Sequence, residues 1–373
     1  MGGYTSYVYT PGKPVWSGRE YPKFADEGYV RNVVTHRCIS MIANGAANIP
    51  WKLYKITENG KTQISKSHKI INLLRNPNPS MSGNDFLEDI YSKYLISGNA
   101  YIQAIRNPEG EIAELFSLRP DRVSVIAGRG SLPQGYRYKV GNDERDFPVN
   151  RITGKSNILH WKSFHPLDDW YGLSSIEAAA YSIDQHNQAG EWNQSLLQNG
   201  ARPTGALIVK GSEKGGGDYL SDEQYNRIKS QIDEQHMGAA NAGRPLLLEG
   251  GLDWKEMSLS PKDMDFINTK NSAARDIALA FGVPPQLLGI PGDNTYSNLA
   301  EARLSLWEQT ILPLAEGLVN VLNNWLTPDF DRRFEIGLDK DNISALAPRR
   351  EALWNRVKDA EFLTDEEKRE MLI

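Results

Sequence analysis

The chain reads Phe281-Gly282-Val283-Pro284-Pro285-Gln286-Leu287-Leu288-Gly289 where a helix meets a loop, and this junction decides how the fold is divided. Upstream, Ser260 and Pro261 have the residue types of an N-cap and of a first helical turn. Downstream, two consecutive prolines stop the helix, because proline has no backbone N–H to donate. We therefore predict a helix over residues 260–283 that gives way to a loop over residues 284–298.

The most periodic segment of the chain follows that loop. Its apolar residues recur at steps of three and four, which is the spacing of one helix face. They are Leu304, Trp307, Ile311, Leu314, Leu318, Val321 and Trp325. Pro313 lies inside the segment, where its ring clashes with the preceding turn. Because the apolar stripe continues on both sides, we predict one long kinked helix over residues 299–327.

Another long helix is predicted earlier in the chain, over residues 173–200. Ser174 and Glu177 have the spacing of a capping box, and no proline interrupts the residues after them. Its apolar stripe is thin and consists of Ile176, Ala180, Ile183, Trp192 and Leu196. The other positions are mostly polar, so the pattern indicates a helix that packs along a narrow line and otherwise faces water.

The residues between these two helices, 201–259, form a predicted αβ module. Ser221 and Gln224 have capping-box spacing at the start of a short helix. The run Gly215–Gly217 lacks the following lysine of a phosphate-binding loop and predicts a flexible tip. Strand patterns cover Gly205–Val209, Leu246–Glu249 and Leu252–Ser258.

The first half of the chain mixes helices with short strands. Residues 1–27 show no periodicity and are predicted to be a flexible arm. Val30–Ile49 and Asp85–Ser97 have helical spacing. Near the C-terminus, Pro348–Val357 and a helix capped by Thr364 and Glu367 are predicted to form a polar helical piece. The antiparallel strands are Trp51–Ile56, Asn99–Arg106, Ile112–Leu118, Arg122–Ile126, Tyr136–Val140 and Ile158–Phe164. The fold class is therefore α+β with several domains.

Charge and composition disfavour several classes of protein. The chain has 373 residues and a formal net charge of −5, the wrong sign for tight binding to nucleic-acid phosphates. No apolar run approaches the roughly 20 residues that cross a bilayer. The first residues lack the pattern of a secretion signal, and the single cysteine, Cys38, fits a reducing compartment. We expect cytoplasmic assembly and no membrane partner.

Catalytic patterns are weak. The sequence has no nucleotide-binding, zinc-protease or serine-hydrolase motif, so we predict no catalytic residue and no cofactor. His160, His165, Asp168 and Asp169 could be drawn as a metal cluster. Their spacing matches no standard site, which favours histidines that bind backbone groups and predicts no metal. Cys38 has no evident base beside it and is predicted to be a buried thiol.

Several short segments carry a family resemblance. The most specific is residues 281–289, at the end of the run Ala274–Gly289. The others are Leu73-Leu74-Arg75-Asn76-Pro77-Asn78, Gly98-Asn99-Ala100-Tyr101, Tyr171-Gly172-Leu173-Ser174, Gln198–Gly205 and Glu249-Gly250-Gly251. With these segments the chain resembles, from about Val33 to Leu372, the portal protein family of tailed double-stranded-DNA bacteriophages and gene transfer agents.

The resemblance implies a ring, expected to have twelve subunits, at one capsid vertex, and it implies a portal fold with named domains. These are a wing over residues 28–172, stem helices over 173–200 and 260–283, a clip over 201–259, a tunnel loop over 284–298, a long kinked helix of the wing over 299–327 and a short helical crown over 328–373.

The resemblance also implies partners and a location. Double-stranded DNA would pass through the ring without sequence-specific contacts. The major capsid protein, the large terminase subunit during packaging, and a head–tail adaptor at the clip would bind its outer surfaces. The protein would lie in the virion, at the capsid vertex, after assembly in the bacterial host cytoplasm. In this family the subunit is not an enzyme.

Particular side chains are expected to face the channel. The stem-lining residues would be Gln185, Asn187, Gln188, Lys270 and Asn271. The tunnel-loop residues would be Asp293, Asn294, Thr295, Tyr296, Ser297 and Asn298. We hypothesise that the tunnel loop touches the DNA backbone or its water without reading bases. An equally weighted alternative is a simple turn in which Asn298 caps the next helix.

Two other functions compete with the portal interpretation. One is a hydrolase that uses the histidine and aspartate cluster, which no activated nucleophile or metal spacing supports. The other is a cytoplasmic scaffold or adaptor protein that binds partners through residues 201–259 and forms no channel.

Overall fold

The computed structural model describes residues 20–58, 60–64, 67–128, 132–198, 205–209, 222–223, 225–226, 230, 252–256, 266–291, 296–360 and 362–370. The chain divides into two compact units. The larger unit consists of the chain up to Ile183 and from Arg275 onward, and the smaller unit runs from Asp184 to Ala274. Both contain helix and strand, which confirms the predicted α+β class.

The helices and strands are numbered here in chain order, among the described residues. The helices are α1 Tyr21–Lys23, α2 Val33–Ala47, α3 Lys69–Arg75, α4 Gly83–Ser97, α5 Ser175–Ala178, α6 Ala180–Gln198, α7 Phe266–Ala280, α8 Tyr296–Leu306, α9 Leu312–Trp325, α10 Ala347–Lys358 and α11 Asp365–Glu370. The strands are β1 Trp51–Thr57, β2 Gly60–Gln63, β3 Asn99–Arg106, β4 Ile112–Leu118, β5 Val123–Ile126, β6 Gly135–Val140, β7 Asp143–Pro148, β8 Ile158–Lys162, β9 Gly205–Val209, β10 Leu252–Glu256 and β11 Phe334–Leu338.

The core of the larger unit forms around α2 and α4. Asn32 caps α2, because its side chain accepts hydrogen bonds from the backbone N–H groups of Val34 and Thr35 at 3.1 and 3.0 Å. Ile39 and Ile42 of α2 are fully buried, and burial of such a side chain contributes about 1.5–3 kcal/mol. In the described part of the chain, no helix is long and apolar enough to span a membrane.

The predicted flexible arm, residues 1–27, extends too far along the chain, because its last residues are helical. Residues Tyr21–Lys23 are helical, and Phe24–Val30 continue them as a π-helical segment. Phe24 is buried in the main core, and a Cβ placed on Gly28 would lie 3.1 Å from Ile176. The buried side chain of Phe24 and the close contact between Gly28 and Ile176 hold this segment in place, although its sequence shows no periodic pattern. The rest of the predicted arm, residues 1–19, lies outside the described residues.

Four antiparallel sheets contain the strands. In the larger unit the orders are β11-β1-β2, β4-β3-β8 and β5-β6-β7, and in the smaller unit β9 pairs with β10. The predicted bounds of β3, β4 and β9 are confirmed, and those of β1, β5, β6 and β8 differ by one or two residues. β10 covers Leu252–Glu256 of the predicted strand Leu252–Ser258, and the last two residues of that strand lie outside the described residues, as does the predicted strand Leu246–Glu249.

Three strands escaped prediction. β2 and β7 are edge strands with mostly exposed residues, so neither shows an apolar alternation. β11 pairs with β1, with Ile336 opposite Leu53. Both side chains are buried, so a part of the predicted crown region, residues 328–373, forms a strand of a sheet in the larger unit. α10 and α11 do form at the predicted helical positions farther along.

The long helix continues through Pro313 as predicted, although its distortion has a different form. α8 and α9 are joined by a π-helical turn, Trp307–Ile311, and Pro313 lies in the first turn of α9. The N–H of Leu312 donates to the carbonyl of Trp307, five residues back. The wider turn accommodates a residue that has no N–H of its own.

Candidate functional site

The start of the polar helix is held by two of the segments that carry the family resemblance. Gly98 has a left-handed backbone with φ of 71°, and its carbonyl accepts the N–H of Ser163 at 2.9 Å. A Cβ placed on Gly172 would lie 2.1 Å from the carbonyl oxygen of Gly98, so only glycine fits there. The first turn of α5 is thereby fixed beside the end of α4.

Asn99 connects the same two segments through hydrogen bonds. Its Oδ1 accepts the N–H of Gly172 at 2.8 Å and pairs with His160 Nε2 at 2.9 Å. Its Nδ2 donates to the carbonyl of Ser97 at 2.8 Å. Ser174 caps α5 through the N–H of Ile176, and its hydroxyl also donates to the carbonyl of Ile96. The role of Asn99 could not be predicted from the sequence, because its partners Gly172 and His160 lie far away along the chain.

The predicted first stem helix is broken into two. α5 ends at Ala179, whose φ of −92° and ψ of 3° depart from helical values, and α6 follows. Gln185 and Gln188 are exposed and three positions apart, so they share a face of α6. Asn187 is half-buried and points elsewhere, so the predicted lining residues of α6 do not form one row.

His186 and Ala189 occupy the buried side of α6 in the smaller unit. Burial lowers the pKa of His186, and the positive charge of Lys270 lowers it further. Lys270 and Asn271 of α7 are themselves half-buried, so neither projects freely into solvent in the single chain. Of the predicted apolar stripe, Ile183 is buried, whereas Trp192 remains 36% exposed.

The end of α7 forms a Schellman motif. The N–H of Val283 donates to the carbonyl of Ala278 at 2.9 Å, and the N–H of Gly282 donates to Leu279 at 3.0 Å. Gly282 has the required left-handed backbone, with φ of 65°. The predicted helix stop is confirmed, and glycine makes it before the prolines are reached.

Two hydrogen bonds hold the loop after α7 to other parts of the larger unit. Thr310 Oγ1 donates to the carbonyl of Gly282 at 2.7 Å. The guanidinium of Arg275 donates to the carbonyl of Pro291. Between these anchors, Pro285–Leu288 form a 3₁₀ turn. Residues 292–295, which follow these two anchors, lie outside the described residues.

Two expectations about the tunnel loop change. Tyr296, Ser297 and Asn298 lie in the first turn of α8, so the loop ends at residue 295 and not at 298. Asn298 is already inside the helix and does not cap it, which overturns the alternative of an Asn298 cap. Asp293, Asn294 and Thr295 lie outside the described residues, and their contact with DNA stays a prediction.

The histidine and aspartate cluster has structural roles. Burial lowers the pKa of His160 to about 3, and its ring stacks on Tyr101 at 4.3 Å. His165 Nδ1 accepts the N–H of Leu167 at 3.0 Å. Asp168 Oδ1 accepts the N–H groups of Trp170 and Tyr171 at 2.7 and 3.0 Å. Within the described ranges no group of three or more acidic, histidine or cysteine residues could hold a metal ion.

Cys38 is fully buried in α2, as predicted. Burial raises the pKa of its thiol to about 12, so the thiolate form that acts as nucleophile is not populated near neutral pH.

Several large apolar side chains remain exposed in the single chain. Leu279 of α7 is 79% exposed, and Phe164 and Leu167 in the loop after β8 are 84% and 92% exposed. Val30 and Val33 are both 71% exposed where α2 begins. Contiguous patches of exposed apolar side chains are typical of surfaces that contact another protein, so these residues are candidates for such contacts.

The fold and these anchored segments define a multi-unit α+β protein in which a small module is inserted between two long helices. The sequence model of the family described as phage portal protein matches residues 34–372, nearly the whole chain. The chain belongs to the phage portal protein family.

Individual relatives agree with this family. An uncharacterized protein of Rickettsia bellii (strain RML369-C) is 47% identical over 343 residues, which cover 92% of this chain and 86% of that protein. The portal protein of Enterobacteria phage HK97 is 25% identical, over 82% of this chain and 69% of its own length. A chain in the neck of a native gene transfer agent particle, computed with C12 symmetry, is 42% identical with a TM-score of 0.72, and the match covers 97% of this chain and 95% of that one.

Proposed function

We propose that this protein is a portal subunit. Copies of it form a ring at one vertex of a phage or gene transfer agent capsid, and double-stranded DNA passes through the ring during packaging and ejection. The observation that carries the proposal is the family match over residues 34–372, together with the similarity to a chain in a gene transfer agent neck that has C12 symmetry.

A closed ring needs two different contact surfaces on each subunit, because every copy meets its two neighbours through unlike faces. The exposed apolar side chains at Val33, Phe164, Leu167 and Leu279 supply uncovered surface on the single chain. Burial against neighbouring copies would remove this apolar area from water and stabilise the ring.

The proposed channel wall is polar and repels DNA. α6 exposes Gln185 and Gln188, whose uncharged side chains cannot neutralise the charge of phosphates. Twelve chains with a net charge of −5 would give the ring a formal charge of −60. Such a wall favours sliding, since DNA binding depends on neutralising phosphates with lysine and arginine.

The domain assignment follows the order of the described elements. α6 and α7 would be the stem, and the module that contains β9 and β10 would be the clip, where a head–tail adaptor and the large terminase subunit bind. The larger unit would be the wing, which meets the major capsid protein. Residues 292–295 would form the tip of the tunnel loop, in the lumen.

Native mass spectrometry of the purified full-length chain tests this proposal. A subunit of 41.8 kDa predicts a twelve-subunit ring of about 500 kDa (12 × 41.8 kDa). A closed species of that mass, or of a neighbouring integral number of subunits, supports the portal. A subunit that stays monomeric at every concentration and salt condition, including in the presence of capsid components, contradicts it.

A further inference from the structure

A polar cavity of about 340 Å³ lies in the larger unit, between the N-terminal helical segment and the loop after β8. Aromatic side chains line it, among them Tyr21, Phe24 and Tyr171. Two carboxyl groups, Asp168 and Glu177, also line it. Of the candidate metal cluster considered above, His165 and Asp168 line this cavity.

The hydroxyl of one residue that lines the cavity is buried and has no hydrogen-bond partner among the described residues. Tyr101 lines the cavity and is 1% exposed, and its hydroxyl makes no hydrogen bond to any described residue. A buried hydroxyl without a partner costs roughly 1–3 kcal/mol, so proteins rarely keep one that no ligand or water satisfies. Burial raises the pKa of Tyr101, with smaller effects of Tyr171 and Asp168. The hydroxyl is therefore neutral and can accept a hydrogen bond from a cation.

The carboxylates of the cavity are not neutralised by the described part of the chain. Burial raises the pKa of Asp168, but the N–H groups of Trp170 and Tyr171 and the nearby His165 and Lys162 outweigh this and hold it below its usual range. Those N–H groups both bind Oδ1, and no described residue donates to Oδ2. Glu177 forms no ion pair within the described ranges.

Two basic side chains that act on Tyr21 and Asp168 have partners of their own. Arg119 pairs with Asp121 at 2.7 Å, and Lys162 donates to the backbone carbonyl of Asp169. The cavity therefore combines negative charge, an unsatisfied buried acceptor and aromatic faces. This combination attracts organic cations, because aromatic faces carry a negative quadrupole and carboxylates accept charged hydrogen bonds.

We propose that this cavity binds an alkylammonium or guanidinium group, held by Asp168, Glu177 and the hydroxyl of Tyr101 and covered by Tyr21 and Tyr171. Two sources have this chemistry. One is a free organic cation, and the other is a lysine or arginine side chain of a neighbouring copy of the chain. Only the second source depends on the ring of the proposed function.

The test measures binding of n-propylguanidinium and n-butylammonium to free subunits and to assembled rings by isothermal titration calorimetry, with 1-butanol as the uncharged control. Free subunits should bind one of the cations saturably and should not bind butanol. The Glu177→Gln and Tyr101→Phe variants should each weaken binding about tenfold, since the first removes a negative charge and the second removes a hydrogen-bond acceptor of the cation. Glu109→Gln, at an exposed turn, should leave binding unchanged.

Tyr101→Phe has a second signature. It removes an unsatisfied buried hydroxyl, so the ligand-free variant should be as stable as the parent or more stable, although it binds the cation less well. A variant that binds less because it is misfolded would instead be less stable in chemical denaturation.

The ring measurement separates the two sources. Binding to both rings and free subunits assigns the site to a free cation, and binding to free subunits alone assigns it to a neighbour's side chain. The inference is overturned if free subunits bind neither cation saturably, or if Glu177→Gln binds as well as the parent. These results do not depend on whether rings form, so failure of the portal proposal would be recognised separately.

Discussion

Gly282 shows how a single residue joins a helix end to the rest of the fold. It combines a left-handed backbone with a close approach to Thr310, where an added Cβ would lie 2.7 Å from Oγ1. Gly289 has a similar φ of 71°, but no atom lies within 4 Å of its Cβ position. Comparing the two glycines therefore distinguishes the cost of a left-handed backbone from the cost of a steric clash.

Gly282→Ala should destabilise the protein by more than Gly289→Ala. The left-handed backbone costs a non-glycine residue about 1–2 kcal/mol at either position. At Gly282 the methyl group also displaces the Thr310 hydroxyl from its hydrogen bond, which adds about 1 kcal/mol. Urea denaturation of the two variants measures the difference. Equal losses would show that the Thr310 contact contributes nothing to stability.

His160 gives the protein a defined acid sensitivity. Burial lowers its pKa to about 3, whereas an unfolded histidine titrates near 6.5. Between these values the unfolded state binds more protons, so stability falls as pH decreases from about 6.5 toward 3. The slope from this one group reaches about 1.4 kcal/mol per pH unit.

His160→Gln should flatten this dependence. Glutamine keeps a neutral N–H donor for Asn99 Oδ1 but gains no proton in the window. Denaturation curves at intervals from pH 7 to pH 4 test it, with the exposed His36→Gln variant as control. An unchanged slope in His160→Gln would contradict the proposed role of His160.

At the scale of elements, local chemistry predicted much of the fold. Capping residues at Ser174, the glycine and proline stop after α7, and the apolar stripe through α9 each act over a few residues, so the sequence displays them directly. The strands β3 and β4 could be bounded because turn residues flank them.

Elements defined by distant partners could not be predicted in the same way. β11 is a strand because β1 lies beside it, nearly 300 residues earlier in the chain. The π-helical turn before Pro313 and the role of Asn99 also depend on tertiary neighbours. The resemblance drew attention to the Gly98 and Gly172 segments, but only the structure shows that they contact each other.

The loop between α7 and α8 carries a prediction of its own. Because Thr310 and Arg275 hold this loop at Gly282 and Pro291, before the deleted residues, deletion of Asp293–Thr295 should leave the subunit folded and the rings intact. DNA packaging should fall, because the loop would no longer narrow the channel. Packaging of DNA in particles assembled from the variant measures this.

A variant that replaces Asp293–Thr295 with three glycines is the control for loop length. If only the deletion reduces packaging, the length of the loop is what matters. If the deletion and the glycine variant both reduce packaging, the side chains of the loop are what matter. Normal packaging by both variants would remove the loop from the proposed mechanism.

For the whole molecule, Leu279 tests whether exposed apolar surface builds the ring. Leu279→Asp places a charge on a side chain that is 79% exposed, so the free subunit should lose only about 1 kcal/mol of stability, from the lower helix propensity of aspartate and its negative charge in the last turn of α7. The ring should dissociate at higher subunit concentration than the parent ring, because burying an unpaired charge at a contact is costly. Analytical ultracentrifugation measures this shift.

Asn142→Asp, in the exposed turn between β6 and β7, adds the same charge far along the chain and is the matched control. If Leu279→Asp assembles as readily as Asn142→Asp, the exposed face of α7 is not a contact between neighbouring subunits.

The central claim concerns a channel, which belongs to the assembly and not to any residue of the single chain. Single-particle electron microscopy of the purified full-length protein tests it most directly. We predict a closed ring with a continuous central hole, in which α6 and α7 surround the opening and expose Gln185 and Gln188 to it. A closed particle with no opening, or a ring whose hole is lined by other elements, would contradict the account.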